Sequence, residues 1–272
     1  MVKEDLRRHD APLRRASEAP HNSTMEWTDE AVILGARRHG ESSVIVEAMT
    51  RGHGRHLGLV RGGRSRRMSA LIQPGNGVTL TWRARLDDHL GQFAIEGTEL
   101  RAGRFLDDAA SLFGLGHLAG LLRLLPERDP HEGLYHALLV VLEHLDSPNI
   151  AAALMVRFEL ALLADLGFGL DLSACAVSGA TQDLVFVSPK SGRAVSARAG
   201  EAYAARLLAL PAFVSDQFMG DHVTSEQIAA GFALTGHFLR RNIYEPRGLV
   251  PPDERASFLA AVMGEERAGK PD

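Results

Sequence analysis

Eight arginines stand between Glu47 and Asp87: Arg51, Arg55, Arg61, Arg64, Arg66, Arg67, Arg83 and Arg85. No acidic residue interrupts them, so residues 48–86 carry a charge of +8 in a chain whose formal net charge is −4. Residues 104–272 hold 14 Lys/Arg against 21 Asp/Glu, a net of −7. Arg37 and Arg38 lie just upstream of the stripe. A guanidinium grips a phosphate through two parallel N–H bonds and also lies flat on a base, which an ammonium does poorly. Ten arginines concentrated in one part of an acidic chain therefore point to a polyanion site on one domain.

Stacking groups are fewer. The stripe region offers Trp27, Trp82 and Phe93. Strand alternation turns Trp82 and Phe93 inward, which leaves Trp27 as the open ring, in a turn before the first strand. His53 and His56 read as surface turn histidines. Binding is then dominated by phosphate contacts, weak in sequence preference and steep in salt.

Other chemistries lack their residues. A zinc knuckle needs four N/S ligands in close pairs; Cys175 is the single cysteine and reads as a small buried hydrophobe. No P-loop, H-E-x-x-H or G-x-S-x-G pattern occurs. Gly114, Gly116 and Gly120 read as close helix packing, and the pairs Asp87-Asp88 and Asp107-Asp108 as solvated charge. No catalytic residue, cofactor or metal is assigned.

The elements that position the arginines come in two kinds. Residues 31–38, 42–49, 55–61, 78–86 and 92–99 are strands separated by glycine turns. In the fourth, Val78, Leu80, Trp82, Ala84 and Leu86 face a core while Thr79, Thr81, Arg83 and Arg85 face out. In the fifth, Phe93 and Ile95 face in, Gln92 and Glu96 out. Five strands with a long third connection, which often holds a helix, favour an OB barrel over an SH3-like one. From 104 onward the pattern is helical: 105–125, 132–145, 150–166, 200–210, a Thr224-x-x-Gln227 capping box opening a helix to about 244, and 253–263. A Ser/Gly/Ala-rich insert at about 171–198 holds a short strand at 184–188.

The fold class is α+β and multidomain. Residues 1–24 are expected to be a disordered extension, 25–103 an OB-fold DNA-binding domain, 104–264 an α-helical domain, and 265–272 a flexible tail. The first 24 residues lack the apolar run of a secretory signal. No stretch is apolar enough to cross a membrane, and one cysteine fits a reducing cytoplasm.

Several passages in order resemble the RecO family. They are Ala31-Val32-Ile33-Leu34, then Arg37-Arg38-His39-Gly40-Glu41-Ser42-Ser43, Thr50-Arg51-Gly52-His53-Gly54, Val60-Arg61-Gly62-Gly63-Arg64-Ser65 and Gln73-Pro74-Gly75. Phe158-Glu159-Leu160 through Leu166-Gly167-Phe168 to Cys175 follows. The resemblance implies an OB domain, a helical domain with a zinc-finger-like insert, and a cytoplasmic, nucleoid-associated DNA-repair and recombination mediator. It implies binding to single- and double-stranded DNA and annealing of complementary strands. The implied partners are RecR, the C-terminal tail of single-strand-binding protein (SSB) and, indirectly, RecA. The insert departs from the pattern: Ser178 stands where a second cysteine would complete a C-x-x-C, and the second pair is missing, so the insert is degenerate. Packing of Leu172, Val185 and Phe186 is expected to replace the metal. The acidic SSB tail needs a basic neighbour, for which Arg157, Arg240 and Arg241 are the helical-domain candidates, each of which reads first as ordinary helix-surface charge. Alternatives from the residues alone are an RNA-binding OB module, a protein adaptor, or a hydrolase assembled across distant residues.

Overall fold

The computed structural model describes residues 25–214 and 223–268, with side chains as far as 264. The expectations for 1–24 and for the 269–272 part of the tail lie outside these residues, whereas 265–268, expected in the flexible tail, continue the last helix. Five strands make a closed barrel: β1 (Met25–His39), β2 (Ser43–Thr50), β3 (Arg55–Val60), β4 (Gly77–Ala84) and β5 (Gln92–Glu99). Their order around the barrel is β1-β2-β3-β5-β4, with β4 closing on β1. Helix α1 (Arg66–Leu71) spans the long third connection. This is the OB fold.

The alternation read from sequence fills the barrel. Ile33, Val46, Val78, Leu80, Trp82 and Phe93 form its core. Leu86, expected inside, is 56% exposed, because β4 ends at Ala84 and the chain turns away. Strand β1 is twice the expected length. Its first half pairs with β4, from Met25 opposite Ala84, and its second half with β2, to His39 opposite Ser43. A bulge between Ile33 and Gly35 lets one strand serve two neighbours. The barrel closes where β3 and β5 run parallel, through the single pair Leu59 and Gln92.

Helices α2 (Ala102–Phe105), α3 (Ala109–Leu122), α4 (Glu132–Glu143) and α5 (Pro148–Asp165) follow. The expected single helix over 105–125 is broken because Asp108 caps α3, accepting from the Ala110 and Ser111 amides at 3.2 and 2.7 Å. The insert is a sheet ordered β7-β6-β8, built from β6 (Leu184–Val187), β7 (Ala194–Ser196) and β8 (Leu208–Ala209). Helix α6 (Ala197–Gly200) leads into a 3-10 turn at Glu201–Arg206. The helix expected over 200–210 is therefore not formed; Ala209 instead pairs with Phe186 on β6. Helix α7 (Ser225–Leu239) opens on the Thr224/Gln227 capping box and continues as a π turn over Arg240–Tyr244. Helix α8 (Glu254–Ala268) runs past the expected stop at 263. It lies on α3 at the glycines: a Cβ at Gly114 would sit 3.2 Å from Phe258, and one at Gly116 would sit 2.9 Å from Glu254. Among the described residues no helix is long and apolar enough to cross a membrane.

The two domains share a core. Val32, Leu34 and Met49, on the outer face of β1 and β2, are buried in the same apolar cluster as Leu118, Leu122 and Leu138 of the helices. Gly54, with φ +66°, lets the β2–β3 turn touch the helical domain; a Cβ there would lie 2.0 Å from the Asp129 carbonyl oxygen.

Candidate nucleic-acid interface

Strand register decides which arginines meet. Arg37 lies opposite Ile45 and Arg38 opposite Val44, and Val44 in turn lies opposite Val60, the residue before Arg61. The β1–β2 turn, the end of β3 and α1 thus share one end of the barrel. Arg37, Arg38 and Arg64 line a notch of about 410 Å³ with Ser69, Gln73 and Pro74. Ser65 caps α1 by accepting from the Met68 amide, which places Arg66 and Arg67 in its first turn, both exposed. Arg64 donates to the Glu41 carbonyl oxygen. Six arginines gather here, with Glu41 as the acidic residue of the β1–β2 turn.

The other four are elsewhere. Ala84 pairs with Met25, so Arg83 and Arg85 flank the start of β1, at its far end from Arg37. Arg83 is 2.8 Å from Glu26. Arg85 is exposed beside Asp87 and Asp88. Arg51 holds Glu132 of α4 at 2.8 Å. Arg55 is half-buried, 2.9 Å from Glu47 and 3.5 Å from Glu127. Glu47 is also gripped by Arg123 at the end of α3, at 2.7 Å. Arg128 donates to the backbone carbonyls of Asp87 and His89, the latter at 2.8 Å. Four contacts thus fasten the barrel to the helical domain: Arg51 to Glu132, Arg55 to Glu127, Glu47 to Arg123, and the loop carbonyls of Asp87 and His89 to Arg128. Sequence reading missed these four because the partners lie 76 residues apart for Glu47–Arg123 and 81 for Arg51–Glu132.

This fastening restricts where a ligand can lie. OB barrels bind oligonucleotides on the outer face of strands 2 and 3. On that face Glu47, Met49 and Arg55 are taken up by the helical domain, while Leu57 and Leu59 of β3 stay part-exposed. Among the described residues, the densest group of exposed arginines outside any ion pair lies at the end formed by the β1–β2 turn and α1.

The rings do not make an open platform. Trp27 is the third residue of β1 and half-buried, not in a preceding turn. The His53 ring stacks on it at 4.0 Å and 7°, held by Nδ1 to the Asp29 carboxylate at 2.9 Å. His56 is not a surface histidine; it is 2% exposed, inside the barrel. Trp27 and Trp82 stand edge-on to it at 5.1 and 5.2 Å, and neither ring nitrogen has a partner among the described residues. Burial first, and then the charges of Arg128 and His53, push its pKa down to about 4. A folded-state pKa below the unfolded value means that the unfolded chain takes up the proton more readily. The contribution of His56 is fully present above about pH 6.5 and is lost as pH falls towards 4. The unfolding free energy from urea melts followed by fluorescence should fall through that window, by on the order of 2 kcal/mol. Both of the chain's tryptophans flank this ring, so their emission reports it. His56→Leu should flatten that part of the profile; an unchanged profile would contradict the assignment.

In the insert, Cys175 is buried, and its sulfur accepts the amides of Ser178 at 3.5 Å and Ser196 at 3.3 Å. Hydrogen bonding by the Ser178 and Ser196 side chains first, and then by those amides, lowers its thiol pKa to about 6. Val185, expected to pack there, is 38% exposed; Val187, Ala194 and Val195 are the buried apolar residues of the sheet. Arg157 donates to the Phe213 carbonyl at 3.0 Å, and Arg241 to the carbonyls of Pro189 and Lys190. Those two side chains therefore tie backbone together, while Arg240 is exposed.

Two family descriptions match the chain. "Recombination protein O N terminal" covers residues 25–101, and "Recombination protein O C terminal" covers 107–249. The chain belongs to the RecO family. A DNA repair protein RecO of Chelativorans sp. (strain BNC1) is 58% identical over 241 residues, 88% of this chain and 96% of that protein. Another, of Methylobacterium nodulans, is 58% identical over 248 residues, 90% of this chain and 100% of that protein. The one from Sinorhizobium medicae is 58% identical over 240 residues, covering 88% and 95%.

The RecO-like Phe158-Glu159-Leu160 passage lies on α5, and Glu159 is the most charged point of the helical core. It is fully buried. His117 Nε2 of α3 meets Oε1 at 2.7 Å, and Arg255 of α8 donates to both oxygens at 2.7 and 3.0 Å. Thr235 of α7 donates as well. Burial alone would raise this carboxyl, but the Arg255 charge and the bonds from His117 and Arg255 hold it down to about 2. Four helices meet on one carboxylate, and the sequence carried no signal for it beyond the family pattern.

Proposed function

We infer that this RecO-family chain acts in DNA repair and recombination as a mediator without enzymatic chemistry of its own. The observation that carries the reading is the gathering of Arg37, Arg38, Arg61, Arg64, Arg66 and Arg67 at one end of an OB barrel whose strand face is partly covered by the helical domain. Phosphates of a DNA strand lie in the notch and along α1, releasing counterions as the guanidiniums replace them. Single- and double-stranded DNA both offer that backbone. Neutralising two strands at one surface lowers their mutual repulsion, which is how such a protein anneals complementary strands. With RecR it helps load RecA onto DNA coated by SSB, and it works in the cytoplasm at the nucleoid. The arginines position and neutralise; no bond is broken.

The test is the rate at which two complementary fluorescent oligonucleotides anneal, with wild type beside Arg66→Glu/Arg67→Glu. These two exposed residues on α1 are outside every ion pair described above. The variant is expected to anneal at least tenfold more slowly, as the loss of two phosphate contacts implies. Annealing that is unaffected by the change contradicts the reading. Preference for an RNA strand over the same DNA sequence in competition favours an RNA-binding module instead.

A further inference from the structure

Beside the notch lies an apolar groove of about 260 Å³. Leu34, Phe105, Leu106, Leu112, Leu115 and Ala119 line it, at the junction of the barrel with α2 and α3. Leu106 and Leu112 are 62% and 47% exposed, although leucines are usually buried. Gln73 and Pro74 line both the notch and the groove, so the two hollows form one surface that bends over this turn.

The charges of the groove differ from those of the notch. Its rim carries one carboxylate, Glu254, and one guanidinium, Arg123, which is already held by Glu47. A phosphate gains little there, and an acidic peptide gains no more. A flat, neutral, largely apolar group fits. Gln73 adds a polar contact: its amide nitrogen donates to the Ser69 carbonyl at 2.8 Å, and its oxygen has no partner among the described residues. A DNA strand carries such groups one covalent step from each phosphate.

We propose that the groove receives unstacked bases of the strand whose phosphates lie in the Arg37/Arg38/Arg64 notch. The proposal rests on the reading of the notch as the phosphate site. It replaces the aromatic platform usual in single-strand binders with an aliphatic one. It also gives the surface a preference that phosphate contacts cannot give, because the bases of a duplex are paired and stacked and do not enter the groove. Single strands are thereby favoured over duplex, with little choice among the four bases.

The probes are a fluorescent thymidine oligonucleotide, the same deoxyribose-phosphate chain without bases, and a duplex of equal length. Wild type should bind the base-free chain about tenfold more weakly than the intact strand, the range for one base contact. Leu106→Ser/Leu112→Ser changes two exposed positions and no charge. It should lose about tenfold on the intact strand, keep the wild-type salt slope, and bind intact and base-free chains alike. Thermal unfolding of the variant confirms that it is folded. If the folded variant binds the intact strand as wild type does, the groove takes something else and the proposal is overturned, while the phosphate reading stands. The proposal is equally overturned if wild type does not distinguish the two chains. A notch variant that keeps wild-type affinity and salt slope would sink the phosphate reading itself.

Discussion

Glu159→Ala is expected to lower the unfolding free energy by about 3–5 kcal/mol, the usual cost of removing one partner from a buried ion pair. The Arg255 guanidinium is mostly buried, with 22% side-chain exposure, and makes two of its bonds to this carboxylate. Without Glu159 that charge loses its counter-ion, and His117 and Thr235 lose an acceptor. Replacing both members, as in Glu159→Met/Arg255→Met, should cost less than the sum of the single changes, since no orphaned charge remains. The carboxyl's folded pKa of about 2 lies below its ordinary value of 4.5. Its contribution is therefore present above about pH 4.5 and is lost as pH falls through 2. Guanidinium unfolding followed by circular dichroism checks the change. A loss under 1 kcal/mol would contradict the picture of one carboxylate holding α3, α5, α7 and α8 together.

The second large effect belongs to the notch. Six phosphate contacts to a single strand imply a salt slope near −4, at about 0.7 per contact. Reversing Arg37, Arg38 and Arg64 to Glu removes three contacts and adds three repulsions. The slope should fall to about −2, and affinity at ~0.1 M salt by about a hundredfold or more. All three residues are exposed, so the fold should survive the change.

Much of this fold is legible in the chain. Period-2 alternation placed Val78, Leu80, Trp82, Phe93 and Ile95 correctly because a strand in a small barrel has one wet face and one dry face. The α7 start was legible because a capping box is a local signal. The start of β1 was not. Met25, Glu26 and Glu30 are exposed on an edge whose pairing with β4 spans some fifty residues and leaves no local periodicity. The helix break at Asp108 was hidden in a continuous apolar run, and β8 in a segment whose two residues gain their state only by pairing with β6.

The candidate site was legible as a charge and not as a surface. The run of arginines said how much positive charge the barrel carries. Which guanidiniums remain available depends on carboxylates distant in sequence: Glu132 takes Arg51, Glu127 takes Arg55 together with the nearby Glu47, and Glu26 takes Arg83. His56 was misread for a related reason, since a turn motif at 51–54 says nothing of which way the next residue faces. Burial of a polar ring with no partner is rare and costly, and composition does not announce it.

The most direct test compares two kinds of arginine in one assay. Binding to a fluorescent single-stranded oligonucleotide is measured across a salt series for wild type, for Arg37→Glu/Arg38→Glu/Arg64→Glu and for Arg83→Gln. Wild type and Arg83→Gln should show the same steep slope and affinities within about threefold of each other, because the Arg83 charge is already met by Glu26. The notch variant should be weak and shallow in salt. A notch variant indistinguishable from wild type, or an Arg83→Gln variant as impaired as the notch variant, would contradict the placement of the DNA site at the α1 end of the barrel.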